Sequence, residues 1–170
     1  MRSCGPIAPA GRGTPAMTAT SCAHTNQNVA RPACGRSVNG LPASASERRL
    51  REGGWTLREL VLHLVARDKV RLEEFDRMLG GTHASWIGIT SEHMDAINEW
   101  HLGELRHLGW EDARRRLDTM REALLGALHA VPAEPAEVWS PEHPFGRIMH
   151  ALVAHDRHHA AQVKQLRLQG

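Results

Sequence analysis

Apolar residues recur every three or four positions over four long stretches of this chain, which is the spacing of one face of an α-helix. The first helix is predicted to begin at Thr56, because Thr56 and Glu59 form a capping box and Trp55 and Leu60 occupy the positions of a hydrophobic staple. The pair Gly80-Gly81 is predicted to end it. Its predicted apolar face contains Leu57, Leu60, Val61, Leu64, Leu72, Phe75 and Leu79.

Three further helices follow. One is capped by Thr90 or Ser91 and ends before Gly109, the next runs from Trp110 to about Val131, and the last runs from about Phe145 to Leu168. No segment shows the alternation of a strand, so the predicted fold is all-α, an up-and-down bundle of the four-helix type.

Residues 1–40 differ from the rest of the chain. They are rich in Gly, Pro, Ala, Ser and Thr and show neither helical nor strand periodicity, which predicts a disordered tail. Met17 offers an internal start, so this tail is a candidate non-native start of the protein. Residues 41–170 are predicted to form the bundle, and Leu41 to Leu50 is predicted to add only a short helix.

Charge and cysteine content narrow the function classes. The formal net charge of the chain is +2. The tail contains four arginines and no acidic residue, so the remaining residues carry a net negative charge and offer no broad basic surface for nucleic acid. Arg114 to Arg116 follow Glu111 and Asp112, which favours an ion-paired solvent face. There is no run of 18 apolar residues, so no membrane association is expected. All three cysteines lie in the tail, which favours a reducing compartment and a cytoplasmic protein.

Two histidines interrupt the apolar stripe of the last helix. His155 and His159 stand between Leu152 and Val163, where a bundle core expects aliphatic side chains. Because residues four apart on a helix are neighbours, both imidazoles can turn one nitrogen toward a common point. His63 borders the buried stripe of the first helix and is the third candidate metal ligand.

Three neutral imidazoles suit zinc, nickel, copper or iron. The spacing by itself leaves an alternative open, in which the histidines are capped or reach solvent. His101, on an inward stripe, is a candidate pocket residue. Asp68 is a candidate partner that orients a ligand, or a member of an interhelical ion pair.

The segment from Trp55 to Leu64, with its histidine, and the distant HxxHHxxQ segment from His155 to Gln162 resemble the DinB/YfiT-like superfamily. The resemblance covers about Leu41 to Leu168. It implies a four-helix bundle in which His63, His155 and His159 bind a divalent metal, zinc, nickel or iron. Met94 to Glu99 also resembles the branch that includes colibactin self-resistance proteins.

The resemblance implies a metal-dependent thiol transferase or hydrolase that acts on small electrophiles in stress or detoxification, with a low-molecular-weight thiol as second cofactor. Two alternatives stay open: a non-catalytic protein that sequesters a metal or small molecule, and a truncated structural bundle without activity. The superfamily has a full first helix before the Trp-led segment. In this chain that helix is predicted to be short or degraded, and the apolar groove left behind predicts a homodimer.

Overall fold

The computed structural model describes residues 37–82 and 91–168, with Ser91 described by its backbone alone. Four long helices lie within these ranges: α1 (Leu57–Leu79), α2 (Ser91–Leu105), α3 (Trp110–Ala130) and α4 (Pro144–Leu168). Within these two ranges no strand is present, which confirms the all-α bundle. None of the helices in this part of the chain combines the length and the apolar character needed to cross a membrane.

The start and end of α1 follow the predicted capping signals. The Glu59 backbone N–H donates to Thr56 Oγ1 at 3.1 Å, and the Thr56 N–H donates to Glu59 Oε2 at 2.9 Å. This reciprocal pair provides partners for backbone groups that a helix terminus otherwise leaves open. At the other end, Gly80 is the C-cap and Gly81 adopts a φ of 80°, a conformation that favours glycine.

The short helix predicted for Leu41 to Leu50 is not formed. Only a 3₁₀ turn is present there, at Ala43–Ala45, and the chain then continues irregularly to α1. Arg49 forms an isolated antiparallel bridge with Thr56, and neighbouring backbone groups bond to the first turn of α1. These hydrogen bonds use the carbonyl groups that a local helix would need, so the tertiary contact replaces it.

The packed body begins before residue 41. Val38 is buried, and the Arg167 guanidinium donates to the carbonyl oxygens of Ser37 and Asn39 at 2.8 and 2.7 Å. The last residues of the predicted tail, 37–40, therefore contribute to the fold. Residues 1–36, with all three cysteines, lie outside the described residues, so their predicted disorder stays a prediction.

Two apolar clusters fill the bundle. The Trp110 cluster joins the first half of α1 to α2, the start of α3 and the end of α4; its members in these four helices are Leu57, Leu60, Val61, Leu62, Leu64, Val65, Leu102, Trp110, Ala113, Leu117, Val163 and Leu166. The Phe75 cluster joins the opposite ends of α1, α3 and α4 and consists of Phe75, Leu124, Leu128, Val131, Ile148, Met149 and Leu152.

A polar layer separates these clusters. It is formed by buried or half-buried charged and imidazole side chains from the middle of α1, α3 and α4, namely His63, Asp68, Arg71, Arg121, His155, Asp156 and His159. A polar group removed from water needs a partner, so the contacts inside this layer determine which of its members serve the fold.

The homodimer stays a prediction, but its premise is wrong. The apolar lining expected to remain exposed, drawn from Leu60, Phe75, Leu124 and Leu152, is 0 to 4% exposed in the single chain. These side chains are covered by the chain itself and need no second copy to remove them from water. Among the described residues, the large apolar side chains that remain exposed are Leu79, Trp100 and Leu168.

The run of arginines at the start of α3 lies on the solvent face. Arg114 forms an ion pair with Glu111 at 3.6 Å, and Arg115 pairs with Asp112. The predicted acidic partners are therefore present, at a spacing of three residues along the helix. Because these pairs are exposed, they contribute little to stability.

Candidate metal centre

Three imidazoles from two helices converge in the polar layer. His63 comes from α1, and His155 and His159 come from adjacent turns of α4. The Nε2 atom of His155 lies 2.9 Å from His63 Nε2 and 3.2 Å from His159 Nε2. All three potential ligand atoms lie within 4.8 Å of one another, so the rings face one point as the sequence predicted.

The surroundings hold these rings in place. His63 and His159 are buried, at 3 and 6% exposure, while His155 is half-buried. Trp55, which precedes the helix cap, packs on His63 with 4.5 Å between ring centroids. Trp55, which occupies a hydrophobic-staple position before α1, therefore also limits the movement of the His63 ring.

The hydrogen bond to Gln162 determines which ring nitrogen of His159 is protonated and which one has a free lone pair. Gln162 Oε1 lies 2.7 Å from His159 Nδ1, one turn further along α4. Because a carbonyl oxygen only accepts, the His159 Nδ1–H must donate to it. The neutral ring then has a bare Nε2 directed at His155, which is the form that a metal-binding histidine takes.

Protons alone satisfy the three Nε2 atoms poorly. With His159 Nε2 bare, the His155 Nε2–H would have to donate toward it, and the same hydrogen would have to be shared with His63 Nε2 only 2.9 Å away. A cation, by contrast, accepts a lone pair from all three nitrogens. Three ligands at about 2.0–2.2 Å from one ion stand roughly 3 Å apart, so the observed spacing fits a divalent metal.

The electrostatic environment keeps the imidazoles neutral. Burial, with smaller contributions from the neighbouring His159 and the cationic Arg67 and Arg71, lowers the pKa of His63 to about 3. Burial, together with the positive charge of Arg71, lowers the pKa of His155 far below its usual range. Burial also lowers the pKa of His159, although its hydrogen bond to Gln162 works in the opposite direction. Neutral rings can bind a metal without first losing a proton.

A buried ion network lies beside the imidazoles and ties three helices together. Asp68 of α1 contacts Arg71 at 3.2 Å and Arg121 of α3 at 2.7 Å. Arg121 also makes two contacts, at 2.8 and 3.2 Å, with the carboxylate of Asp156 on α4. Asp156 directly follows His155, so this bidentate pair holds the α4 turn that presents the histidine.

The charges of this network balance. Burial raises the pKa of Asp68 to about 6, against the effect of Arg121 and Arg71, so the carboxyl group is still ionised at neutral pH. Burial likewise lowers the pKa of Arg71 to about 10, where the guanidinium remains charged. Two carboxylates thus face two guanidinium groups. Asp68 is a member of an interhelical ion pair, one of the two roles considered for it.

His101, the candidate pocket residue, does not join the three imidazoles. It is buried on α2, where its ring is tilted against that of Trp100, with 4.6 Å between centroids, and lies 3.7 Å from the Glu104 carboxylate. His158 is exposed on α4, with its ring 5.1 Å from that of His159. Neither belongs to the group of potential metal ligands that the described residues form.

Helical periodicity did not identify Arg71, Arg121 and Asp156 as members of the polar layer, whereas Asp68 was a candidate. Arg121 lies four residues after Leu117 and three before Leu124 on the buried face of α3, so it interrupts the apolar stripe there. That interruption, like the one made by His155 and His159, was a readable signal. Asp156 gave no such signal, because an acidic residue off the apolar stripe is ordinarily exposed.

A family model described as the DinB superfamily matches residues 30–163. This match covers well over half of the 170 residues and includes His63, His155 and His159, so the chain belongs to the DinB superfamily. Comparison with curated proteins and with solved structures finds no match to this chain. The resemblance to the branch with colibactin self-resistance proteins therefore stays a prediction.

Proposed function

We propose that this DinB-superfamily protein binds one divalent metal ion, zinc, nickel or iron, through His63, His155 and His159, and promotes reactions of a thiol or water with small electrophiles. The observation that carries the proposal is the convergence of three Nε2 atoms, between which a single shared hydrogen would have to serve two close contacts. When bound, a divalent ion supplies Lewis acidity, which lowers the pKa of a thiol or water molecule.

The chain's own residues prepare this chemistry in three ways. Gln162 fixes the tautomer of His159, Trp55 restricts the ring of His63, and the Arg121–Asp156 pair holds the turn that carries His155. A donor set fixed in advance loses little conformational entropy when it binds a ligand. The adjacent apolar clusters exclude water from the inner side of the rings, which strengthens electrostatic interactions there.

Three histidine ligands leave other coordination positions of a metal free for small molecules, which favours a reactive centre over a purely structural one. The lowered pKa of His63, about 3, supports a centre that stays competent to bind metal in mildly acidic solution.

Elemental analysis of untagged, full-length protein tests metal binding. The wild-type chain is expected to retain about one equivalent of a divalent metal, and His155→Ala and His63→Ala are each expected to lose it. His150→Ala is the matched control, because His150 is exposed on the same helix as His155. Metal content that survives both ligand substitutions would refute the site.

A second assay separates catalysis from sequestration. Metal-loaded protein is incubated with a small electrophile and a low-molecular-weight thiol, and conversion is followed with and without His155→Ala. Conversion above the thiol-only rate that disappears in the variant supports the transferase or hydrolase. A chain that binds metal and leaves the rate unchanged is instead a sequestering protein.

A further inference from the structure

Arg67 differs from the other arginines near the metal centre. It lies on α1 one turn after His63 and one turn before Arg71, so all three side chains share one face of the helix. Arg71 and Arg121 each contact a buried carboxylate. Arg67 is also half-buried, but its guanidinium donates a hydrogen bond to a sulfur atom, Met94 Sδ on α2, at 2.7 Å.

A thioether is a weak acceptor, and a guanidinium group has five N–H donors. The nearest acidic neighbour in sequence, Asp68, is already occupied, because Arg71 contacts its Oδ1 atom and Arg121 its Oδ2 atom. Burial lowers the pKa of Arg67, and the attraction of the Asp68 charge works against this with a smaller effect. Within the described part of the chain, however, Arg67 forms no ion pair with a carboxylate, and it shares the charge of Asp68 with Arg71 and Arg121. A partly desolvated charge in this state is stabilised by binding an anion.

An anion bound to Arg67 would lie close to the imidazoles. Its positive charge is close enough to contribute to lowering the pKa of both His63 and His155. The contact with Met94 places the guanidinium in the space between α1 and α2. Asn98 follows Met94 by one turn, but its buried Oδ1 atom only accepts hydrogen bonds and does not bind a carboxylate. The guanidinium of Arg67 is therefore the group that would hold the anion.

From this geometry we infer that Arg67 binds a carboxylate of the small molecule that enters the metal centre, so that the protein selects anionic ligands over neutral ones. The inference rests on the proposed function and names its substrate class. Arg67 acts as a positioning residue: it fixes one end of the ligand while the other end lies at the imidazoles. The carboxylate belongs either to the electrophile or to the thiol, and the experiment distinguishes these sources.

Two pairs of probes test the inference by calorimetric titration of the full chain. Succinate and succinamide differ in their charge and stand for the electrophile, whereas N-acetylcysteine and N-acetylcysteamine differ in one carboxylate and stand for the thiol. In at least one pair, the carboxylate is expected to bind about tenfold more tightly or better, since a charged hydrogen bond contributes that much. The pair that shows the preference identifies the source.

Arg67→Gln is expected to abolish the preference, and Arg67→Lys is expected to retain part of it, because lysine keeps the charge but loses the planar fork. Lys69→Gln is the matched control: it removes one positive charge from an exposed position of the same helix and should leave the preference intact. Circular dichroism establishes that each variant is folded; should Arg67→Gln not fold, Arg67→Lys decides by its reduced preference.

The titrations are made on metal-free and on zinc-loaded protein. A carboxylate preference in metal-free protein that depends on Arg67 supports the inference even if elemental analysis rejects the metal site, so the two proposals fail separately. Equal binding of the charged and neutral members of both pairs, or a preference that persists in Arg67→Gln, overturns the inference.

Discussion

The polar layer contains two groups of side chains at similar depth, and their hydrogen bonding differs. In the ion network, both oxygens of Asp68 and both oxygens of Asp156 meet a guanidinium nitrogen. In the histidine group, three ring nitrogens face one another, and the Nδ1 atoms of His63 and His155 have no partner among the described residues. The charges of the ion network are paired within the chain, although Asp68 Oδ2 and Arg121 Nε meet at 2.7 Å without hydrogen-bond geometry. The three facing nitrogens of the histidine group have no opposite charge among the described residues that would pair with them in this way.

This difference separates a structural role from a functional one. Removing one partner from a buried network of paired charges leaves an uncompensated charge, which is strongly destabilising. Removing one histidine from a group that already lacks hydrogen-bond partners removes unsatisfied buried polar atoms, so it costs little stability. The substitution instead lowers the affinity for a ligand. Four predictions test this contrast, in order of decreasing effect.

The largest effect is expected for Asp68→Asn. The substitution keeps the shape of the side chain but leaves Arg71 and Arg121 without its negative charge, so the free energy of unfolding should fall by about 3–5 kcal/mol. Urea unfolding of metal-free protein measures it. Glu73→Gln is the control, because its ion pair with Lys69 is exposed and should contribute less than about 1 kcal/mol. A loss below that value for Asp68→Asn would contradict the structural role of the network.

Zinc should stabilise the folded chain through the histidine group. At a free zinc concentration of 100 times the dissociation constant, the gain in unfolding free energy is about 2.7 kcal/mol. Thermal unfolding with and without zinc measures this gain, which His155→Ala should remove. His158→Ala, an exposed neighbour on α4, should retain it. Equal stabilisation of both variants would indicate that zinc binds elsewhere.

Acid should weaken the metal-free protein through the same histidines. The folded pKa of His63, about 3, lies below the ordinary value of 6.5, so the unfolded state binds more protons between these values. Its stabilising contribution is complete above pH 6.5 and is lost as pH falls toward 3. Between pH 7 and 5 this amounts to about 2 kcal/mol for one such imidazole.

His63→Leu should therefore reduce the loss of stability between pH 7 and 5 by about the same 2 kcal/mol, as measured by urea unfolding at both pH values. The raised pKa of Asp68, about 6, contributes with the opposite sign below pH 6 in both proteins and cancels in the comparison. An unchanged pH dependence in the variant would show that His63 is not held neutral by burial.

The smallest effect is expected for Gln162→Leu. Losing the acceptor of the His159 Nδ1–H leaves the ring free to change its tautomer, which should weaken zinc binding about tenfold or more without unfolding the metal-free chain. Competition with a zinc-sensitive dye measures the affinity. Gln165→Leu is the control, since Gln165 is exposed on the same helix. Equal affinities of the two variants would assign no orienting role to Gln162.

Local sequence patterns determined much of this fold. Helical periodicity predicted the approximate extents of the four helices, and the capping box of Thr56 and Glu59 and the pair Gly80-Gly81 predicted the ends of α1. The same periodicity exposed His155 and His159 as interruptions of an apolar stripe. These predictions succeed because backbone hydrogen bonding and capping depend on residues only a few positions apart.

Tertiary structure alone decided the partners of the buried charges. Asp68, Arg121 and Asp156 come from three helices, and an acidic residue outside an apolar stripe is read as exposed until another helix supplies its counterion. The segment Leu41 to Leu50 and the burial of Val38 were likewise settled by contacts with distant parts of the chain. A sequence specifies each helix through neighbouring residues, but which side chains meet across the bundle depends on how the helices pack.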